Sequence, residues 1–447
     1  MDKEDYTPLF LLSEDLLDRI IDTALSETIS FWPYRWSLLS NCALACREFL
    51  PRSLTHLYSK IKLPIDFRDD NSLRKRIRDL NLIIRARPVI ADYVQEIHLL
   101  LPAGETSWIY KNLLFKEVLD LIQDAEGPLK KLRLQGGPGV QRLQTPEPFI
   151  NRFARPFMSS IITSLHIECL TNVPTQLVTE CIQLQELILI VTELESTSYT
   201  GGAISRPSIK KLEHNNSRSA ISRLLQRGPD GRQSLVDFSS LRSLLVHTDS
   251  LGDLLFEQEI IDASKGSIEE LYISVCDWQT SIKLVGFTGN PRFQAFVTLC
   301  DLSRLHIFDY PIFFQTAAEG SLTDICSILN TIPEEYQSLT TLRLKLYVGF
   351  TGIVPPEDLL KADWTTLASQ IVRISTGRLF KLSLHMEYLD RSEGREDESS
   401  ESESEEDMDD RCEQILDKVV QEHLSRLKDY AGIEVIQFNT VERPHYS

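Results

Sequence analysis

The stretch LKKLRL at residues 129–134 decides the fold. Its apolar residues Leu129, Leu132 and Leu134 follow the order apolar-x-x-apolar-x-apolar. In an extended strand Leu132 and Leu134 point to one side, and Lys131 and Arg133 to the other. One such hexad fits any amphipathic strand, but the order returns as VQEIHL (94–99), ITSLHI (162–167), LQELIL (184–189), LRSLLV (241–246), IEELYI (268–273), LSRLHI (302–307), LTTLRL (339–344), LFKLSL (379–384) and IEVIQF (433–438). A degenerate copy, IKKLEH, stands at 209–214. Measured at the central apolar residue, the spacings are 35, 33, 22, 25, 32, 27, 34, 37, 40 and 54. Each copy is followed by room for a helix, for example over 317–329 and 356–372. A strand-plus-helix unit of this size buries its apolar face only by stacking on its copies. The pattern predicts an α/β chain built as an irregular solenoid with a curved parallel sheet over 93–447.

The last spacing is long because of the run EGREDESSESESEEDMDD at 393–410, eighteen residues with eleven acids and one base. Taking those eighteen residues out of 54 leaves 36, beside neighbours of 37 and 40. So charged a segment lacks the apolar surface to fold, and it is expected to be a disordered insertion. Ser400, Ser402 and Ser404 each have an acid three residues later, which makes them candidate phosphorylation sites; a solubilising loop is the plainer alternative. The run also carries −10 of the formal −18 that 47 basic and 65 acidic side chains give the chain. The rest is mildly acidic, and a net negative surface argues against nucleic acid or a membrane as partner.

The hydrophobic fraction of 42% and charged fraction of 25% are those of a globular protein, so the remaining length can bury a core. No apolar run approaches the roughly 20 residues of a membrane span. The opening MDKED is acidic where a secretory leader needs a basic flank. Eight cysteines without a Cys-x-x-Cys pair read as reduced thiols. These features together predict an intracellular chain, in cytoplasm and/or nucleus.

Residues 1–64 read as three short helices. Ser13 caps the first, and Leu12, Leu16, Leu17, Ile20, Ile21 and Leu25 recur at helical spacing. Leu38, Leu39, Cys42, Cys46 and Phe49 mark the second, and Leu54, Leu57, Tyr58 and Ile61 the third, up to Pro64. Over 65–92 an amphipathic helix links this bundle to the repeats. Its core, RKRIRDLNLIIRAR (74–87), sets Ile77, Leu80 and Ile84 against a cluster of basic residues, either a solvated face or an import or phosphate-binding patch.

No phosphate-binding loop, zinc helix, nucleophile elbow or kinase signature is present, so no catalytic residue, metal site or cofactor is expected and the chain is read as a non-enzyme. Gly136-Gly137-Pro138-Gly139 reads as a turn. His98, His166 and His306 share the outward position of three strands and are expected to be surface histidines.

LSEDLLDRIID (12–22) followed by LLSNCALACREFLPRSLTHLYSKIKL (38–63) resembles an F-box, most closely the F-box-like type with leucine-rich repeats expanded in mushroom-forming fungi. Two departures stand out: Ser13 replaces the usual proline, and residues 27–36 lengthen the connection between the first two helices. The resemblance implies a substrate-recognition subunit of a Skp/cullin/F-box ubiquitin ligase. Leu12, Leu16, Leu17, Ile20, Cys46, Phe49 and Leu57 would then meet the Skp-type adaptor, and through it a cullin, while the leucine-rich repeats hold an unknown protein substrate. The substrate face is expected at outward strand positions, among them Lys131, Arg133, His166, Lys211, Tyr272, Arg304, His306, Arg343 and Lys381. Its basic residues fit an acidic or phosphorylated ligand, with a mixed solvated face as the alternative. The competing function is a repeat scaffold whose F-box-like helices only cap the open end of the solenoid.

Overall fold

The hexads become the strands of a parallel sheet. The computed structural model describes residues 14–27, 32–45, 47, 49–63, 70–127, 129–195, 206–226, 234–248, 251–275, 298–314, 322–334, 338–348, 356–375, 377–389, 405–430 and 432–442. In chain order the strands are β1 (Lys60–Leu63), β2 (Glu96–Leu101), β3 (Lys131–Gly136), β4 (Gln141–Arg142), β5 (Ser164–Glu168), β6 (Leu170–Thr171), β7 (Glu186–Ile190), β8 (Lys211–Asn215), β9 (Ser243–Thr248), β10 (Glu270–Val275), β11 (Ile307–Phe313), β12 (Thr341–Val348), β13 (Phe380–Leu389) and β14 (Ile433–Glu442). Twelve of them pair in sequence order in one sheet, and β4 and β6 form a separate two-stranded ladder. Contacts divide the chain into two compact units, Met1–Leu184 with Ile190–Pro207, and Gln185–Leu189 with Ser208–Ser447.

In the first unit the registers Ile97↔Leu132 and Leu132↔Leu165 put the hexad leucines and isoleucines level on one side of the sheet. Ile97, Leu99, Leu132, Leu134, Leu165 and Ile167 are each no more than 1% exposed, and burying a side chain of this size stabilises the fold by roughly 1.5–3 kcal/mol. Helices cover that side. α4 (Asp70–Ala86) buries Leu73, Ile77 and Ile84, and the helix Leu113–Gln123 buries Phe115, Val118, Leu119 and Ile122. The second unit repeats the arrangement, with Leu244↔Leu271 and Leu342↔Leu382 in register and all four fully buried.

The N-terminal helices α1 (Glu14–Glu27), α2 (Trp32–Ala45) and α3 (Leu50–Tyr58) close around Ile21 and Leu39, with Leu38, Phe49 and Leu57 partly buried against them. An ion-pair clamp ties α1 to α3: Arg52 donates to both carboxylate oxygens of Asp22 at 3.0 and 2.6 Å, and His56 Nε2 lies 2.7 Å from Oδ1. The Arg52 hydrogen bond holds the Asp22 carboxyl below its ordinary range.

Three expectations need correction. α3 ends at Tyr58, and Ile61 belongs to β1 rather than to the third helix; β1 pairs with β2 through Ile61↔Ile97 and Leu63↔Leu99. The segment 65–92 therefore contains the crossover between two paired strands. This strand carries the hexad order too, as Tyr58-x-x-Ile61-x-Leu63, a copy that the series begun at 94–99 left out. Second, LSRLHI (302–307) lies ahead of its strand: β11 aligns Phe308, not Leu305, with Leu271, so the structural hexad is Leu305 to Tyr310. Likewise Val435, not Ile436, stands level with Leu382 in β14. Third, the acidic run is not irregular throughout, because Glu405–Lys418 is a helix whose start overlaps its last six residues. Acids suit a helix N-terminus, where they meet the positive end of the dipole. Burial of Cys412, Ile415 and Leu416 anchors the turns that follow, together with Arg411 paired to Glu357 at 2.7 Å. Ser400, Ser402 and Ser404 lie outside the described residues. Among those residues no helix is long and apolar enough to cross a membrane.

Candidate functional site

Two surfaces carry the residues singled out in the sequence. The first is α1. Leu16 and Ile20, one turn apart, are 44% and 48% exposed, while Ile21, about 100° round the helix from Ile20, is 3% exposed and fills the small core. The sequence grouped these with Phe49 and Leu57, but the structure separates them: Phe49 and Leu57 pack inward against Ile21 and Leu39. Leu12 and Cys46 lie outside the described residues, and so does the side chain of Leu17.

The second surface is the side of the sheet opposite the buried leucines. In the first unit its side chains are largely engaged with one another. Arg133 Nη2 donates to Glu168 Oε2 at 2.5 Å, Gln135 Nε2 donates to Glu168 Oε1 at 3.2 Å, and His166 Nε2 lies 3.5 Å from Glu168. His98 Nε2 contacts Gln135 Oε1 at 2.9 Å. His98 is not a surface histidine, being only 3% exposed. Lys62 and Arg133 flank it in register on the two adjoining strands. Burial first, with Arg133 and Lys60 adding positive charge nearby, pushes its imidazole down to about 3. The ring is therefore neutral at physiological pH. Lys131 is exposed.

In the second unit Lys211 pairs with Glu186 at 2.7 Å, and this hydrogen bond raises the lysine pKa. Tyr272, Asp309, Arg343 and Ser383 stand level across β10 to β13. Lys381 is exposed, level with Thr341 and Glu434. Arg304 and His306 leave the predicted set. They are exposed and precede β11, and His306 Nδ1 lies 2.9 Å from the Ser338 carbonyl oxygen. The shifted register is the physical reason, and Asp309 takes the place expected of His306. Strong pairing within the face (Arg133 with Glu168, Lys211 with Glu186) leaves it less basic than a count of its lysines and arginines suggests.

No family model and no curated protein matches this chain. What the surfaces can do rests on their own chemistry. Among the described residues no group of three His, Cys, Asp or Glu side chains is placed to hold a metal ion. A recess of about 460 Å³ beside the β4–β6 ladder is lined by Gln141, Arg142, Gln144, Thr145 and Asn172, and these bring no acid and base together.

Sequence reasoning missed Asp309. It is 6% exposed, and its Oδ1 has no hydrogen-bond partner. Burial raises its carboxyl pKa above the ordinary 3.8 despite the opposing pull of Lys345 and Arg343. A folded-state pKa above the unfolded one makes stability fall as pH climbs through the window between the two values, and the full penalty is present above the higher. Asp309→Asn is therefore expected to raise the thermal midpoint at pH 7 and to flatten the decline above pH 3.8. A midpoint that drops in calorimetry at pH 7 would show that the attraction of Arg343 and Lys345 outweighs burial.

Proposed function

We propose that the chain is a non-catalytic substrate receptor of a Skp/cullin/F-box ubiquitin ligase. Its N-terminal helices dock on the Skp-type adaptor, and the outward sheet side holds a protein substrate. The exposure of Leu16 and Ile20 carries the proposal. Two large aliphatic side chains on successive turns of a small bundle are left in water while the neighbouring Ile21 is buried, as expected of a surface that a partner covers. The F-box-like residues quoted above say which partner. The wide, polar strand face suits a folded protein better than a small molecule, since recognition there is spread over many strands.

Asp substitutions at Leu16 and Ile20 are expected to abolish co-purification of the adaptor while leaving the melting of the repeats unchanged, because both side chains are exposed. Retained co-purification by the L16D/I20D chain would refute docking through α1.

One observation favours the capping alternative. β1 continues directly from α3 and pairs with β2, so the helical bundle is joined to the first strand of the sheet. Deleting residues 1–58, which keeps β1, separates the two functions. A pure cap predicts lower repeat stability and no partner lost, whereas the receptor predicts that the adaptor is lost.

A further inference from the structure

The function proposed above uses α1 and the strand face and leaves the outer side of α4 unexplained. Arg74, Lys75, Arg76, Arg78, Arg85 and Arg87 lie within fourteen residues of a chain whose net charge is −18. All six are exposed. Among the described residues Arg85 is tied to Glu117 at 2.9 Å, and Arg78 has only Asp79 at 4.0 Å. Arg74, Lys75, Arg76 and Arg87 have no ion-pair partner among the described residues.

Apolar side chains stand in the same patch. Lys75, Arg78, Leu82 and Arg85 follow one stripe of α4 at i, i+3, i+7 and i+10. The Arg85–Glu117 pair joins that stripe to the helix Leu113–Gln123. Both helices connect parallel strands in the same sense, so they run alongside in one direction. Leu113 stands one turn before Glu117 on the same face of its helix, and Leu82 one turn before Arg85. Leu82 is 58% exposed and Leu113 76%. The surface of the two helices thus presents two exposed leucines near Lys75, which has no ion-pair partner among the described residues, and near Arg78 and Arg85, whose acids are Asp79 at 4.0 Å and Glu117 at 2.9 Å.

We propose that this surface is a docking site for an acidic peptide segment carrying apolar anchors, distinct from both the adaptor surface and the strand face. Charge selects the partner's sign. Screening sets the range: at physiological salt the field of these cations reaches roughly 8 Å, so a short acidic segment feels the patch and little of the acidic remainder. A long nucleic acid would meet that remainder and be repelled. A bilayer takes up a helix by its apolar stripe, but the stripe of α4, Leu73, Ile77 and Ile84, is already buried in the repeat. Two isolated leucines fit anchor residues of a peptide.

The test is fluorescence anisotropy of the full chain with a labelled synthetic peptide of Glu and Asp carrying leucine at every third or fourth position. Its counterpart with Gln and Asn for the acids, phosphatidylserine-containing vesicles and a short RNA serve as competing probes. The acidic peptide is expected to bind and to weaken with added salt. Its affinity should fall about tenfold or more in K75E/R78E and in L82S/L113S, with no change in K418E, a charge reversal at an exposed lysine elsewhere. Circular-dichroism melts should match across the set, since all the replaced side chains are exposed. Absence of peptide binding, equal affinity of wild type and K75E/R78E, or preference for vesicles or RNA would each overturn the proposal.

Discussion

Replacing His214 by alanine is expected to cost the second unit about 3–5 kcal/mol, read as a large drop in the urea midpoint. His214 fills the last apolar slot of the degenerate hexad IKKLEH and stands level with Val246 on the buried side of the sheet. Its Nε2 lies 2.9 Å from Glu257 Oε2 on the helix Leu251–Ala263, and the two residues are only 3% and 2% exposed. The other oxygen, Oε1, has no hydrogen-bond partner. Removing the imidazole leaves a buried carboxylate alone, which is far costlier than losing the pair as a whole. The double variant His214→Leu with Glu257→Leu restores the apolar slot on both elements. It should recover most of the loss and is expected to equal or exceed wild type in midpoint. A single alanine variant no less stable than wild type would show that the pair is not the buried contact that holds this repeat.

The second large effect is expected at Gly136. This residue ends β3 opposite Leu101, and a Cβ built on it would sit 2.2 Å from the Cys169 carbonyl oxygen. That oxygen accepts the Gln141 backbone N–H at 2.9 Å, where the β4–β6 ladder begins. Gly136→Val must therefore push one backbone away from another and break that bond, at about 2–3 kcal/mol in the first unit. Gly139, three residues on, is the control: nothing lies within 4 Å of its Cβ position, and only its φ of +75° resists a side chain. Gly139→Ala is expected to cost about 1 kcal/mol. Equal midpoints for the two variants in thermal unfolding would show that turn conformation, not the approach of Cys169, explains both glycines.

The architecture was legible because the hexad couples two demands in six residues, one apolar residue before the strand and two inside it on the same side. Where both demands are met by leucine or isoleucine, as at Leu129 to Leu134 or Leu339 to Leu344, strand and register follow from the sequence. The pattern failed where a second apolar set offers the same order. Leu302 and Leu305 are both buried and satisfy it, yet they precede the strand, whose inward residues are Phe308, Tyr310 and Ile312. At β14 only one neighbour fixes the register, and Ile436 competes with Val435 one residue away.

The chemistry of the strand face was less legible for a different reason. Lys211 meets Glu186, and Arg133 meets Glu168, across repeats of unequal length, so no fixed spacing announces either pair. His98 was misread because its outward position said nothing of the side chains on the flanking strands that bury it. The exposure of Leu16 and Ile20 was only half readable. Helical spacing put them in one series with Leu12, Leu17, Ile21 and Leu25, and which side of α1 meets α2 and α3 is decided by the burial of Ile21 and by the Asp22–Arg52 clamp.

Adaptor docking is the centre of the account, and it is tested most directly by the mass of the species formed when the purified chain is mixed with a purified Skp-type adaptor. Light scattering after size exclusion at micromolar concentration should give a one-to-one complex with the wild-type chain and the separate components with L16D/I20D. Separate components already in the wild-type mixture would contradict it.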